Sequence, residues 1–285
     1  MSNLKGGTLE KQLKSAFHVL ESFGVKRHGS NDHLTHSDAV ANKREMYLRD
    51  FKNFMENNQI EGKLNQAMTA ENMDKFLEQR MENLSRTSRE SFTRGWSSMV
   101  QGLQESNVSV DLDKNYFDQK VDEIKEMPLE AVVTGRAIKD ADNVIKELYN
   151  TRYESGVISE VQYSLGLRVS EAIELVQNYE KYIEQGEVVE LVGKGNHTYE
   201  PKNISPQLVA KIMSAENIPS QNTYRNDVSS VTDQHTPHDF RYSYAEREYH
   251  SKIENGVEYR QALREVSEAL NHSRESMTLY YMKRV

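Results

Sequence analysis

The sequence predicts a mainly α-helical protein of two domains with one small β-hairpin, which is an α+β architecture. Over most of its 285 residues, apolar side chains recur at three- and four-residue steps, as they do along one face of a helix. In 187–205, β-branched residues flank a Gly-Lys-Gly-Asn turn, the pattern of a hairpin. A chain of this length can bury two cores of moderate size.

Four amphipathic helices account for the predicted first domain, residues 1–110. The first helix places five large apolar residues on one face: Leu9, Leu13, Phe17, Leu20 and Phe23. The second begins after Ser37 or Asp38 as its N-cap, and the third begins after Thr69. The fourth contains Trp96, the only tryptophan. Four short helices of this kind predict a compact bundle.

A mixed, acidic stretch that contains Pro128 follows the bundle, and it predicts a linker over 111–130. The second domain is expected to occupy 131–285. It begins with two or three helices, continues through the hairpin, and ends with further helices that include the stretches "SPQLVAKIM" and "NTYRNDVSSV".

The composition excludes several classes of protein. The sequence has no cysteine, so a thiolate metal site is excluded, and no apolar run approaches the length of a membrane span. The first residues lack the pattern of a secretory signal, which predicts a cytoplasmic protein. The net charge of −8 disfavours a generally basic surface. Any surface that binds nucleic acid must therefore be a local concentration of cations.

The residues that suggest chemistry lie in the second half. They occur in five short motifs: "LGLRVSEA" with Arg168, "VGKGN" with Lys194, "HDFR" with His238 and Arg241, "LNHSRE" with His272, and "LYY". Each motif alone is weak evidence. An arginine on a helix is usually solvated or in a salt bridge, a lysine in a hairpin is usually at the surface, and most of the fifteen tyrosines are expected to pack in cores or interfaces.

Taken in order, these motifs resemble the tyrosine recombinase family, the phage integrases and Xer-like enzymes that cut and rejoin DNA. The resemblance extends from about residue 130 to the end and is nearly word for word in "LGLRVSEA". It implies six catalytic residues and one supporting acid: Arg168, Lys194, His238, Arg241, His272 and Tyr281, with Glu171 in support. Tyr281 follows His272 by nine residues, as in the family, and Tyr280 is the second candidate. Asn271 stands where the family has a glycine.

The chemistry of phosphodiester cleavage calls for such a set. Guanidinium groups of Arg168 and Arg241 would each bind two oxygens of the phosphate, and His272 would add a third contact. A tyrosine nucleophile conserves the bond energy as a phosphotyrosine, so no metal or other cofactor is expected. Lys194 would protonate the leaving 5′-oxygen. His238 would either accept the proton of the tyrosine or brace the phosphate, and the sequence leaves both roles open.

Other interpretations of the same residues exist. His235 and His238 could form a metal pair, but no third ligand has a suitable spacing, so no metal site is predicted. Glu171 is equally well explained as a salt-bridge partner of Arg168, and this reading is compatible with a supporting role. Three tyrosines after the "HDFR" motif are interpreted as core or interface residues: Tyr242, Tyr244 and Tyr249.

The resemblance implies that the first domain is a helical DNA core-binding domain, which closes over the DNA opposite the catalytic domain. Five basic residues in it are candidates for contacts with phosphate: Lys43, Arg44, Arg86, Arg89 and Arg94. Exposed basic residues are common on helices, so this assignment and an ordinary solvated role have equal weight.

The sequence therefore predicts a site-specific recombinase that integrates or excises a mobile element through a 3′-phosphotyrosine intermediate. The long segment between Arg241 and His272 favours a mobile-element integrase. We expect a minimal two-domain enzyme with double-stranded DNA as its partner, a homodimer on one site and a tetramer when two sites pair. The alternatives are a Xer-type resolvase of chromosome dimers and a DNA-binding regulator that has the fold without the activity.

Overall fold

The protein is described by a computed structural model over residues 2–24, 32–128, 134–194, 196–272 and 275–283. The chain divides into two compact units, Met1–Ala131 and Val132–Val285. Within the described ranges, no helix has both the length and the apolar character that a membrane crossing requires.

The first unit contains the four helices that the apolar periodicity predicts, followed by a fifth. They are α1 (Leu9–Leu20), α2 (Asp38–Asn57), α3 (Ala70–Met81), α4 (Arg86–Glu105) and α5 (Lys114–Lys125). The hydroxyl of Thr69 caps α3 by accepting the backbone N–H of Asn72 at 3.4 Å. Ser37 occupies the N-cap position of α2, but its side chain makes no capping hydrogen bond.

Helix α5 occupies most of the segment predicted as a linker, 111–130. It is capped by Asp113, whose carboxylate accepts the backbone N–H of Tyr116 at 2.9 Å. Its apolar residues lie at steps of four and three, are buried, and pack α5 against α4: Phe117, Val121 and Ile124. Among its described residues the bundle therefore has five helices and continues past residue 110. The short apolar stripe of α5 is covered by the face of α4.

Aromatic rings form the centre of the first unit. Trp96 is fully buried and lies 5.6 Å from Phe51 and 5.4 Å from Phe76, centroid to centroid, in edge-on contacts. Tyr47 stacks on Trp96 at 5.8 Å. Because the chain has one tryptophan, its fluorescence reports on the packing of this unit alone.

The second unit contains nine helices in its described residues. They are α6 (Ala141–Thr151), α7 (Tyr153–Leu165), α8 (Val169–Gln177), α9 (Tyr179–Tyr182), α10 (Pro206–Met213), α11 (Gln221–Val231), α12 (Asp239–Glu254), α13 (Tyr259–Ala269) and α14 (Glu275–Met282). Helix α7 packs against α6, α8, α10 and α12 and is buried around most of its circumference, which makes it the central element. The first two helices predicted after the hairpin are α10 and α11.

The predicted hairpin is present and belongs to a three-stranded antiparallel sheet. Its strands are β1 (Ile183–Glu184), β2 (Glu187–Val188) and β3 (Lys202–Asn203), in the order β1-β2-β3. Strands β2 and β3 pair with Val188 opposite Lys202. Beyond them, a bridge between Val192 and Thr198 carries the hairpin to its turn. Residue 195 of the predicted turn lies outside the described residues.

Candidate active site

Arg168 and Glu171 are joined at the start of α8. Gly166 ends α7 in the left-handed conformation, with φ +66°, and this turn leads directly to Arg168 as the N-cap residue of α8. The backbone N–H of Arg168 donates to Glu171 Oε2 at 2.7 Å, and its Nη1 donates to Oε1 at 2.8 Å. The side chain of Arg168 keeps 24% of its surface exposed, whereas that of Glu171 keeps 5%.

Glu171 also receives two donors from the hairpin. The backbone N–H of Lys194 donates to Oε1 at 3.2 Å, and the hydroxyl of Tyr199 donates to Oε2 at 2.7 Å. Burial by itself would raise the pKa of Glu171, but the hydrogen bonds from Tyr199 and Arg168 outweigh it and hold the pKa below its ordinary value. The carboxylate therefore stays ionised and ties the hairpin to α8.

Arg241 lies in the first turn of α12, next to Glu171, and is fully buried. Its Nη1 donates to the carbonyl of Gly166 and, at 3.1 Å, to the hydroxyl of Tyr199. Its Nη2 donates to the carbonyl of Leu270. The Nε–H has no acceptor among the described residues. Arg241 Nη1 lies 3.9 Å from Glu171 Oε2, so one carboxylate faces both arginines.

Tyr281 is buried at the end of α14 and points at a histidine. Its hydroxyl lies 2.8 Å from His238 Nε2, within hydrogen-bond distance. Its ring stacks on Tyr242 with centroids 4.2 Å apart and meets the ring of His272 edge-on at 4.9 Å. Tyr280, the second candidate for this role, is 43% exposed. The structure thus brings Tyr281, rather than Tyr280, to the histidines.

Asn271 and His272 lie just after the end of α13. Asn271 has φ +50°, a left-handed conformation that glycine adopts freely and asparagine tolerates better than most residues. This conformation explains why asparagine can stand where the resemblance expects glycine. The amide of Asn271 donates to the carbonyl of His197 at 2.9 Å, and His272 Nδ1 lies 3.0 Å from the hydroxyl of Thr278.

Both histidines of the cluster are held in the neutral form. Burial, followed by the positive charge of Arg241, lowers the pKa of His238 to about 4. The same two causes, together with Arg168, lower the pKa of His272 to about 3. A neutral imidazole has one nitrogen that can accept a proton, and in the tautomer protonated at Nδ1 this nitrogen is Nε2, which faces the Tyr281 hydroxyl.

Lys194 is placed differently from the other predicted site residues. It lies exposed at the turn of the hairpin, and only its backbone N–H contacts the cluster. Within the described ranges, no hydrogen bond or ion pair joins its ammonium group to another residue. The structure therefore brings the hairpin to Glu171 but leaves the ammonium of Lys194 in solvent.

One of the predicted DNA contacts in the first unit, Arg44, is a buried residue in the structure. Arg44 is 5% exposed and donates to the hydroxyl of Thr35 at 2.9 Å, to the carbonyl of His33, and to the hydroxyl of Ser98 at 3.3 Å. A buried guanidinium that is bonded in this way holds α2 to α4 and to the segment before α2. The sequence could not distinguish it from its exposed neighbour, Lys43.

The other basic candidates of this unit divide into two kinds. Arg86 and Arg89 are half-buried and bind backbone carbonyls: Arg86 binds that of Met127 at 2.9 Å, and Arg89 binds those of Leu84 and Glu82, each at 2.8 Å. Arg94 is exposed and forms an ion pair with Glu90 at 3.0 Å. Lys43 and Arg94 thus remain exposed, whereas Arg86 joins the start of α4 to the segment after α5, and Arg89 joins α4 to the segment after α3.

Tyr199 is the site residue that the sequence analysis missed. It is buried, and its hydroxyl lies within hydrogen-bond distance of Glu171, Arg168 and Arg241. One tyrosine among fifteen, five residues after Lys194, has no local feature that marks it. Two of the tyrosines interpreted as packing residues, Tyr242 and Tyr244, are buried.

This chain has the fold of the tyrosine recombinases and integrases. The XerH site-specific recombinase bound to difH substrate is similar in a pre-cleavage complex, with a TM-score of 0.59, and in a post-cleavage complex with palindromic difH, with a TM-score of 0.61. Each comparison has 13% identity and covers 96% of this chain and 80% of that chain.

A second similar structure is the Tn1549 transposon integrase in complex with a circular intermediate DNA. It has a TM-score of 0.52 and 13% identity, and the match covers 90% of this chain and 91% of that one. No family model and no curated protein matches the sequence. At this identity the similarity establishes the fold, and the roles of individual residues have to be argued from their geometry.

Proposed function

We propose that this protein is a site-specific DNA recombinase that cleaves and rejoins strands through a 3′-phosphotyrosine at Tyr281. The observation that carries the proposal is the 2.8 Å contact between the Tyr281 hydroxyl and His238 Nε2, in a cluster that also contains Arg168, Arg241 and His272. These residues come from four separate segments of the chain. Similar structures are a recombinase and an integrase bound to DNA, which supports DNA as the partner.

The first step is the attack of Tyr281 on the phosphate. A phenol is a weak nucleophile until its proton leaves, and we propose that neutral His238, 2.8 Å from the hydroxyl, accepts that proton. The bond that forms joins the phenol oxygen to phosphorus. The bond that breaks joins phosphorus to the 5′-oxygen. Attack by a 5′-hydroxyl on the phosphotyrosine reverses both changes and releases Tyr281.

Positive charge is arranged where this step develops negative charge. Arg168 keeps a quarter of its side chain exposed, so it can reach the phosphate directly. Arg241 has a buried Nε–H without an acceptor among the described residues, an arrangement that is costly and that suits a group awaiting an anion. The ring of His272 lies against Tyr281 and would donate a further hydrogen bond. We propose that these three groups bind the non-bridging oxygens.

The leaving 5′-oxygen needs a proton, and we propose that Lys194 supplies it. Its ammonium is exposed at the turn of a hairpin whose backbone is held at Glu171. A hairpin anchored in this way can present a long side chain to DNA that lies over the site. This proposal assigns Glu171 a supporting role, since its carboxylate orients both Arg168 and the hairpin.

The remaining parts of the proposal concern the DNA and the assembly. The first unit would bind the core site, with exposed Lys43 and Arg94 as candidate phosphate contacts. The protein would act as a dimer on one site and as a tetramer on two paired sites. The long segment between Arg241 and His272 favours integration or excision of a mobile element, and resolution of chromosome dimers is the alternative. Such an enzyme would work in the cytoplasm.

The test uses a DNA site selected for binding and nicked close to the cleavage position, so that the covalent adduct accumulates. The wild type and the Tyr280→Phe variant are expected to form a protease-sensitive protein–DNA band, and Tyr281→Phe is expected to form none while it still binds the DNA. Tyr280→Phe is a matched control, because it removes the adjacent exposed hydroxyl. Binding without any adduct from the wild type would refute the recombinase and favour a DNA-binding regulator.

A further inference from the structure

We infer that Tyr199 is a positioning residue for the reaction: its hydroxyl joins the two arginines to Glu171 and to the hairpin. The inference rests on the proposed recombinase function. Tyr199 Oη lies 2.7 Å from Glu171 Oε2, 3.1 Å from Arg241 Nη1 and 3.4 Å from Arg168 Nη1. The two guanidinium groups are therefore linked through the hydroxyl of Tyr199, since each lies within hydrogen-bond distance of it.

The direction of each hydrogen bond follows from the chemistry of the groups. A phenol has one proton to donate, and an ionised carboxylate can only accept, so the proton lies toward Glu171. Both lone pairs of the phenol oxygen then face the N–H groups of Arg168 and Arg241, which can only donate. Burial raises the pKa of Tyr199 to about 12, so the hydroxyl keeps its proton at neutral pH. The hydroxyl thus donates one hydrogen bond, to Glu171, and accepts two, from Arg168 and Arg241.

The hairpin holds the ring of Tyr199 in place. Its backbone N–H donates to the carbonyl of Leu191 at 2.9 Å, across the hairpin from it. Gly193 lies so close to the site that a Cβ there would stand 2.9 Å from Glu171 Oε1. The ammonium of Lys202, three residues further along the same arm of the hairpin, lies 5.5 Å from the centroid of the Tyr199 ring. The hydroxyl therefore transmits the position of the hairpin, which carries the proposed acid Lys194, to both arginines.

Loss of the hydroxyl would leave the two arginines less precisely held. Arg241 Nη1 would lose one of its two acceptors, and Glu171 Oε2 would lose a donor. A small displacement of a catalytic group lowers the rate strongly, by up to about 100-fold for about 1 Å. DNA affinity depends instead on many phosphate contacts spread over the surface, so it is expected to change little.

Tyr182 provides a matched control. Its hydroxyl donates to Glu174 Oε1 at 2.9 Å, so it too is a buried tyrosine bonded to a glutamate of α8. Tyr182→Phe thus removes a hydroxyl that is likewise bonded to a glutamate of α8, but outside the cluster. The experiment measures, for the wild type, Tyr199→Phe and Tyr182→Phe, the Kd for the selected DNA site and the single-turnover rate of adduct formation on the nicked substrate.

Tyr199→Phe is expected to form the adduct roughly 10- to 100-fold more slowly than the wild type with a Kd within about 3-fold of it. Tyr182→Phe is expected to match the wild type in both. A second substrate has a methylphosphonate at the cleaved position, which lacks one negative oxygen and so depends less on two well-placed guanidiniums. If Tyr199 acts through the arginines, the deficit of Tyr199→Phe relative to the wild type shrinks on this substrate.

Two results would overturn the inference while leaving the recombinase intact. One is adduct formation by Tyr199→Phe at the wild-type rate. The other is an equal deficit on the phosphate and the methylphosphonate, because general destabilisation would slow both reactions alike. If the wild type binds the site and forms no adduct on either substrate, the proposed function fails, and the inference fails with it.

Discussion

Replacement of Glu171 by glutamine is expected to destabilise the second unit by about 3 kcal/mol. The carboxylate has four donors, two on each oxygen: the N–H and Nη1 of Arg168, the N–H of Lys194 and the hydroxyl of Tyr199. In glutamine, an NH₂ group replaces one oxygen, so two of these donors would face another donor. The buried Arg241, 3.9 Å away, would also lose this negative charge.

The magnitude follows from these contacts. Removal of one partner from a buried ion pair costs about 3–5 kcal/mol, because the other charge stays buried and uncompensated. The lower end applies here, since Arg168 keeps 24% of its side chain in solvent and can turn outward. A loss of about 3 kcal/mol corresponds to a change on the order of 100-fold in the opening equilibrium of α8.

Hydrogen–deuterium exchange followed by mass spectrometry measures this opening for each unit separately. Peptides from α8 are expected to exchange on the order of 100-fold faster in Glu171→Gln than in the wild type, and peptides from α4 are expected to be unchanged. Glu174→Gln is the control. It is half-buried on the same helix and accepts one hydroxyl, that of Tyr182, so it is expected to lose less than about 1.5 kcal/mol.

Two outcomes would contradict the reasoning. If Glu171→Gln exchanges like the wild type, the carboxylate does not hold the hairpin and the arginines together. If Glu174→Gln is affected as strongly as Glu171→Gln, the loss reflects the helix rather than the cluster. A cluster that Glu171 organises predicts a large difference between the two variants.

Three further predictions concern charge. Because the pKa values of His238 and His272 are lowered to about 4 and about 3, adduct formation is expected to show no inflection near pH 6.5; a histidine-dependent inflection there in a pH–rate profile would contradict this. Burial lowers the pKa of Lys202 from 10.5 to about 8, so between pH 8 and 10.5 the unfolded state binds more protons than the folded state. The free energy of unfolding of the wild type should therefore rise by up to about 3 kcal/mol relative to that of Lys202→Met across this range, as measured by urea titration. Arg44→Ala should lower the free energy of unfolding of the first unit, followed by tryptophan fluorescence, by about 3 kcal/mol, whereas Lys43→Ala should lower it by less than about 0.5 kcal/mol. Equal effects of the two substitutions would contradict the buried role of Arg44.

The local periodicity of apolar residues predicts most of the helices. The stripes that predict α1 to α4 are long enough to identify each helix without its neighbours, and Thr69 marks the start of α3. Helix α5 was missed because its stripe has three apolar residues in an acidic segment, Phe117, Val121 and Ile124, and becomes meaningful only against α4. Strand β1 has two residues, Ile183 and Glu184, which is too short for any period to be visible.

The sequence by itself determined which residues suggest phosphodiester chemistry, because each lies in a short motif that can be recognised without the structure. These residues are Arg168, Lys194, His238, Arg241, His272 and Tyr281. Tertiary structure alone decided which of them meet. It brought Tyr281 to His238, left the ammonium of Lys194 in solvent and buried Arg44. It also placed Tyr199 between two arginines. The physical reason is that each of these outcomes depends on distances between segments far apart in the chain, and a local pattern of residues contains no such distance.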